Sequence, residues 1–131
     1  MQVTIDQKTV ALDEQTAALH EKGAALAPHF KPEYLSREKT VFQFQFESGP
    51  AFHLTVQGNE YAFGLGAAAK PTLTLFVDSH ETCWNLLSGR QDGMKAFMEG
   101  RYRADGNIVL SQLLLYLFKS DDSTVPYEVQ D

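Results

Sequence analysis

The chain holds one cysteine, Cys83, so no intrachain disulfide can form and a reducing compartment suits it. Long apolar runs are missing as well. Residues 108–118 come nearest, but Ser111 and Gln112 interrupt them and the run stays below the ~20 residues that span a bilayer. Positive charge is scarce: 11 Lys and Arg stand against 17 Asp and Glu, a net charge of -6. A phosphate-binding partner requires a basic surface, so nucleic acid is excluded. A permanent anchor on anionic membrane is also disfavoured, whereas brief membrane contact remains compatible with this charge. The polar start (Gln2, Thr4, Asp6, Gln7, Lys8) carries no leader-like apolar core, and a cytoplasmic location is expected.

What is present is globular: 131 residues, 44% hydrophobic and 21% charged, enough for one domain with a sizeable core. Period-two alternation marks the middle of the chain. Phe42, Phe44 and Phe46 alternate with Gln43 and Gln45, and Phe52, Leu54 and Val56 with His53 and Thr55. Tyr61, Phe63 and Leu65 then alternate with Ala62 and Gly64. Gly49-Pro50 and Gly58-Asn59 separate these runs, so a three-stranded antiparallel meander with one aromatic face is expected. Leu73, Leu75 and Val77 repeat the pattern in a fourth strand.

Helices follow. Asp78 or Ser79 can cap one that carries Cys83, Trp84, Leu86 and Leu87 and stops at Gly89. A second, through Met94 and Phe97, ends at Gly100. Residues 101–104 read as a fifth strand, and Asn107 caps a last helix whose apolar residues run almost all round, which predicts burial on several sides. Before the sheet, Val3 and Ile5 alternate like a strand, Asp13 can cap a helix reaching Leu26, and a turn near Pro32 would offer Tyr34 and Leu35 to the core. The expected organisation is an arm and helices over 1–40, a core over 41–119 and a frayed polar tail over 120–131.

Catalytic motifs fail one by one. Gly64-Leu-Gly66-Ala-Ala-Ala69 imitates a dinucleotide fingerprint, but Lys70-Pro71 and a strand follow where a helix must receive the pyrophosphate. Lys70 beside it retains the chemistry to meet an anionic headgroup. The four histidines are scattered without ligand spacing, and no nucleophile elbow occurs. Cys83 and His80 sit one helical turn apart without a third orienting group. No metal, cofactor or catalytic centre is expected.

Residues 89–107, GRQDGMKAFMEGRYRADGN, carry the sharpest signal. Gly89, Arg90, Ala96-Phe97, Gly100, Arg101-Tyr102-Arg103 and Gly106-Asn107 resemble, without a gap, the pattern of the sterol carrier protein family. Lys70-Pro71 with the strand after it resembles the family too. This resemblance implies an α+β fold: a five-stranded mixed sheet with helices on one face, enclosing an apolar tunnel for fatty acid, acyl-coenzyme A or a sterol or isoprenoid-like ligand. It implies non-enzymatic carriage and no catalytic residues. The ligand-binding residues expected are Trp84, Leu87, Met94, Phe97 and Met98, meeting Leu110, Leu114, Leu117 and Phe118 around the tunnel. Leu115 stands where many relatives hold glutamine, which implies a drier pocket. An enclosed void of ~300 Å³ would cost about 7 kcal/mol if left empty, so such a space must be filled or collapsed. The alternative is a solid core in an interaction or homodimerisation module whose N-terminal residues form the contact.

Overall fold

The computed structural model describes residues 3–35 and 38–119, with side chains from Glu14 onward. The tail over 120–131 and its expected fraying lie outside the described residues. Five strands form one mixed sheet in the order β3-β2-β1-β4-β5. The meander is as expected: β1 (Thr40–Phe46), β2 (Phe52–Gln57) and β3 (Glu60–Leu65) are antiparallel neighbours. β4 (Leu73–Val77) runs parallel to β1, with Phe42 opposite Leu73, and β5 (Tyr102–Asp105) closes the other edge antiparallel to β4. The alternation read from the sequence decides which face is covered. Phe42, Phe44, Phe52, Leu54, Val56, Phe63, Leu73, Leu75 and Val77 all lie in the buried core.

Helix boundaries follow from capping chemistry. The Ser79 hydroxyl accepts the Thr82 N–H at 3.1 Å and starts α2 (His80–Ser88); Gly89, at φ +82°, ends it in the left-handed conformation that other residues adopt at a cost. Asp92 accepts the Met94 N–H to start α3 (Gly93–Met98), and Asn107 accepts from Val109 and Leu110 to start α4 (Ile108–Leu117). Both helices are short, so their packing must come from tertiary contacts rather than intrinsic propensity.

The N-terminal segment corrects the sequence reading. Residues from Val3 onward are not a strand but the start of a 22-residue helix, α1 (Val3–Ala24), and Asp13 lies inside it instead of capping it. Neither glycine nor proline occurs from Val3 to Lys22, and Ala, Leu, Glu, Gln and Lys outweigh the few β-branched residues. Within the described side chains, Thr16, Leu19, Gly23 and Leu26 form the inward stripe. Gly23 allows the closest approach: a Cβ there would stand 2.6 Å from Phe63 Cδ2, and the Tyr61 hydroxyl donates to the Gly23 carbonyl at 2.6 Å. After two 3-10 turns (Ala27–His29 and Pro32–Tyr34), Leu35 packs on the core, but Tyr34 is exposed.

Two further expectations fail in the helical layer. Met94, Phe97 and Met98 do not face the core; Ala96 is the buried residue of α3. Small residues decide this. Gly93 and Ala96, three positions apart, let the short helix lie close to its neighbours, and a Cβ on Gly93 would stand 2.5 Å from Leu115 Cδ1. The bulky side chains must then point outward. The last helix is likewise buried on one side only: Ser111, Leu114 and Leu117 face inward, Leu110 and Leu115 are half-buried, and Ile108 and Val109 are exposed.

A cleft in place of a tunnel

The resemblance implied a tunnel between sheet and helices, but in the described residues that space is packed. Leu87, Leu114, Leu117 and Phe118 are fully buried against Phe42, Phe44, Leu54, Leu73 and Leu75. Phe118 stacks on Phe30 with centroids 5.4 Å apart and meets Tyr61 edge-on at 4.9 Å. Of the nine expected lining residues, these four sit together in the core with Leu110 at its margin. Met94, Phe97 and Met98 lie on the outside, with Phe97 touching Tyr102 at 5.7 Å.

Open space lies elsewhere, beside Trp84. A cleft of about 550 Å³ separates α1 from α2 and reaches the ends of β2 and β3. Its floor is Leu19, Phe52, Leu65 and Trp84; its rim carries Gln15, Lys22, Glu81, Asn85 and Arg90. The floor belongs to a connected aromatic cluster. Trp84 stacks on Phe52 (5.3 Å, 18°) and packs on Phe63 (5.2 Å), while Phe52 touches Phe44 and Phe46. Interlocked rings make the floor stiff. At one wall His80 joins α2 to the end of β1 and the turn after it: Nε2 lies 2.8 Å from the Pro50 carbonyl oxygen, and the ring stands edge-on to Phe46 at 4.1 Å. Arg90 is anchored through its Nε, which donates to Asn85 Oδ1 at 3.3 Å. Two cations and one carboxylate therefore surround an aromatic base. Of the cleft residues, the sequence pointed to Trp84 as a ligand contact; Phe52 was expected only as a strand residue, and Leu19, Lys22 and Arg90 join it from distant segments.

The geometry also answers the Cys83–His80 pairing. Cys83 is buried, and burial pushes its thiol far above the ordinary range, while His80 is engaged with Pro50 and Phe46. This is the setting of a core residue rather than of a thiolate nucleophile. The sign of the resulting pH dependence is fixed. The unfolded thiol ionises above about pH 8.5 while the folded one stays protonated, so its stabilising contribution is complete below that pH and declines above it. Chemical denaturation between pH 8 and 10 should show stability falling as pH rises, by at most about 1.4 kcal/mol per unit from this group, and Cys83→Ala should remove that part of the slope. Among the described residues, no group of three His, Cys, Asp or Glu side chains could hold a metal ion.

No family model matches the chain, and no curated protein matches it in sequence. Solved structures do. The palmitated sterol carrier protein 2-like 2 of Aedes aegypti, a solution structure, matches over 72% of this chain and 85% of its own, with TM-score 0.53 and 17% identity. The ubiquinone synthesis protein UbiJ-SCP2 matches over 86% and 88%, with TM-score 0.51 and 13% identity. The chain has the sterol carrier protein fold. A sec-alkylsulfatase from Pseudomonas sp., Pisa1, matches over 72% of this chain with TM-score 0.60 and 18% identity, but the chain spans only 15% of that enzyme's length. At these identities the likeness establishes the sterol carrier fold and no activity.

Proposed function

We propose that this protein binds and carries an apolar lipid without chemically changing it, and that the lipid's chain lies in the cleft between α1 and α2. The observation that carries the reading is the cleft itself: about 550 Å³, with Trp84 and Phe52 in its floor. Its size falls within the ~300–1,000 Å³ of small-molecule sites. Apolar transfer supplies the driving force, near 0.8 kcal/mol per buried methylene before association costs are subtracted. Fatty acid, acyl-coenzyme A and a sterol or isoprenoid-like chain all remain in the ligand class, because apolar contacts discriminate weakly by length. The palmitated mosquito protein and the ubiquinone synthesis protein support a lipidic ligand. The lipid-binding unit in this reading exceeds residues 41–119, since Leu19 and Lys22 of α1 form one wall. Of the nine residues expected from the sequence, Trp84 is the one on the cleft; a role for Leu87, Leu114, Leu117 and Phe118 would require the core to open.

Native mass spectrometry of the purified protein is expected to show a retained lipid. After delipidation, a micromolar titration with a long-chain fatty acid should change the fluorescence of Trp84, the chain's sole tryptophan. Ala18 is exposed and borders the cleft. Ala18→Phe should fill that space and weaken binding at least tenfold while leaving the melting temperature unchanged. Delipidated protein that binds no lipid at micromolar concentration would overturn the carrier reading. Unchanged affinity in Ala18→Phe would place the ligand outside this cleft.

A further inference from the structure

The cleft carries its charge unevenly along its length. Gly23, near the end of α1, packs on Phe63 and accepts the Tyr61 hydroxyl. α2 begins with His80 beside Pro50, lies over Phe52 and Phe63 at Trp84, and stops at Gly89 against Lys119. Phe118, next to Lys119, meets Tyr61. Both helices thus run toward the Tyr61 end of the cleft, and Lys22 and Arg90, which adjoin the two glycines, stand at that end. Glu81, the one lining carboxylate among the described residues, stands at the other, beside His80 and Pro50. α2 is 9 residues long and separates Glu81 from Arg90 by roughly 13 Å, at ~1.5 Å of rise per residue.

Neither cation is spent on the protein. Among the described residues Lys22 and Arg90 are not ion-paired, in contrast to Arg101, which is held by both Asp78 and Glu99. Arg90 is nevertheless fixed in place. Its backbone N–H donates to the Asn85 carbonyl at 2.9 Å, and its Nε donates to Asn85 Oδ1 at 3.3 Å. That anchoring leaves the two terminal nitrogens of the guanidinium, a planar fork that matches two oxygens of a carboxylate or phosphate. A fork already held loses little freedom when it binds. Lys22 adds a point charge on a flexible stem. Exposed cations are ordinarily just hydrated; this pair differs because the apolar floor of Leu19, Phe52, Leu65 and Trp84 begins beside it. Uncompensated positive charge at one end of an apolar trough suits an amphiphile with a single anionic head.

We propose that Lys22 and Arg90 make the cleft selective for an alkyl chain that ends in an oxyanion, and that they set its direction. The head sits at the Tyr61 end against the two cations, and the chain runs over Trp84 and Phe52 toward Leu65 and Pro50. The inference rests on the carriage reading above and narrows it, because an uncharged sterol or isoprenoid-like ligand leaves both cations unused. The reversed direction is disfavoured, since it would set the head beside the like charge of Glu81. Lys22 also lies in the last turn of α1, where a cation complements the free helix carbonyls. That role affects stability and is blind to the ligand's head, so experiment separates the two.

The test is a Trp84 fluorescence titration of the delipidated full chain with dodecanoate, dodecyl phosphate and dodecanol, which share one chain and differ in the head. At least one of the two anions is expected to bind about tenfold or more tighter than the alcohol, and to lose that advantage in about 0.5 M salt. The tighter of the two names the head. Lys22→Gln/Arg90→Gln should remove the preference and keep dodecanol affinity within about twofold, because the apolar floor is untouched. Lys70→Gln/Lys95→Gln removes the same charge from exposed positions off the cleft and should keep the preference. Equal affinity for all three ligands would overturn this inference and leave carriage standing, whereas binding of none would overturn both. A preference that survives in Lys22→Gln/Arg90→Gln, or that the control also loses, places the head elsewhere and overturns the inference. A cleft variant that loses dodecanol as strongly as the anions reveals a structural role and does the same.

Discussion

Phe118→Ala is expected to lower the unfolding free energy by about 3–5 kcal/mol, as for other fully buried aromatic residues. Phe118 follows the last turn of α4 and is completely buried. Its ring joins three parts of the chain: α4, the segment that carries Phe30, and Tyr61 on β3. Truncation leaves a void between a helix end and a sheet whose positions are fixed by other contacts, so little collapse can offset the loss. Urea denaturation should show a lower midpoint with an unchanged slope. Ile108→Ala, on the exposed side of the same helix, should stay within about 0.5 kcal/mol of the parent. A Phe118→Ala loss no larger than that would contradict the packed core.

Gly23→Leu is expected to displace α1 and, through it, to abolish tight ligand binding. The helix meets β3 where a Cβ on Gly23 would stand 2.6 Å from a buried Phe63 ring, so a leucine cannot enter without moving one of the two. Overpacking of this kind costs about 1–3 kcal/mol, and displacement would also break the Tyr61 hydroxyl's bond to the Gly23 carbonyl. Since Leu19 and Lys22 form a wall of the cleft, lipid affinity should fall more than tenfold, a larger change than the stability loss alone implies. Fluorescence titration together with amide exchange over residues 14–24 would separate the two effects. Tight binding with a displaced helix would remove α1 from the site.

The sheet was legible in the sequence because period-two alternation is a local signal with a single solution. Phe42, Phe44, Phe52, Leu54, Phe63, Leu73 and Leu75 all face the way their spacing requires. The caps at Ser79 and Asn107 were legible for the same reason, since each acts within three residues of itself. The helical layer was not. Met94, Phe97 and Met98 look like core residues by hydropathy, yet the close approach permitted by Gly93 and Ala96 turns them outward, and that approach depends on Leu115, a residue 22 positions from Gly93. The start of α1 is hidden in the sequence because Val3 and Ile5 alternate locally like a strand, whereas helix propensity is decided over the whole stretch to Lys22. Of the candidate site, Trp84 alone was legible as a ligand contact, whereas Phe52, Lys22 and Arg90 become neighbours of one cleft through the tertiary fold.

The parallel pairing at the centre of the sheet bears on how the protein is made. Val41 and Thr72, bonded at 2.9 Å, are 31 positions apart, so β1 receives its second neighbour only after the whole meander and the loop beyond it have been synthesised. At ~5–20 residues per second that interval lasts about 2–6 s, during which an edge carrying Phe42, Phe44 and Phe46 has no strand to pair with. Such an edge is a template for a neighbouring nascent chain. The helix that precedes the meander leaves the ribosome first and is available to cover its apolar face. In this chain α1 packs on β3, at the far edge of the meander, so the open flank of β1 is closed by β4 alone.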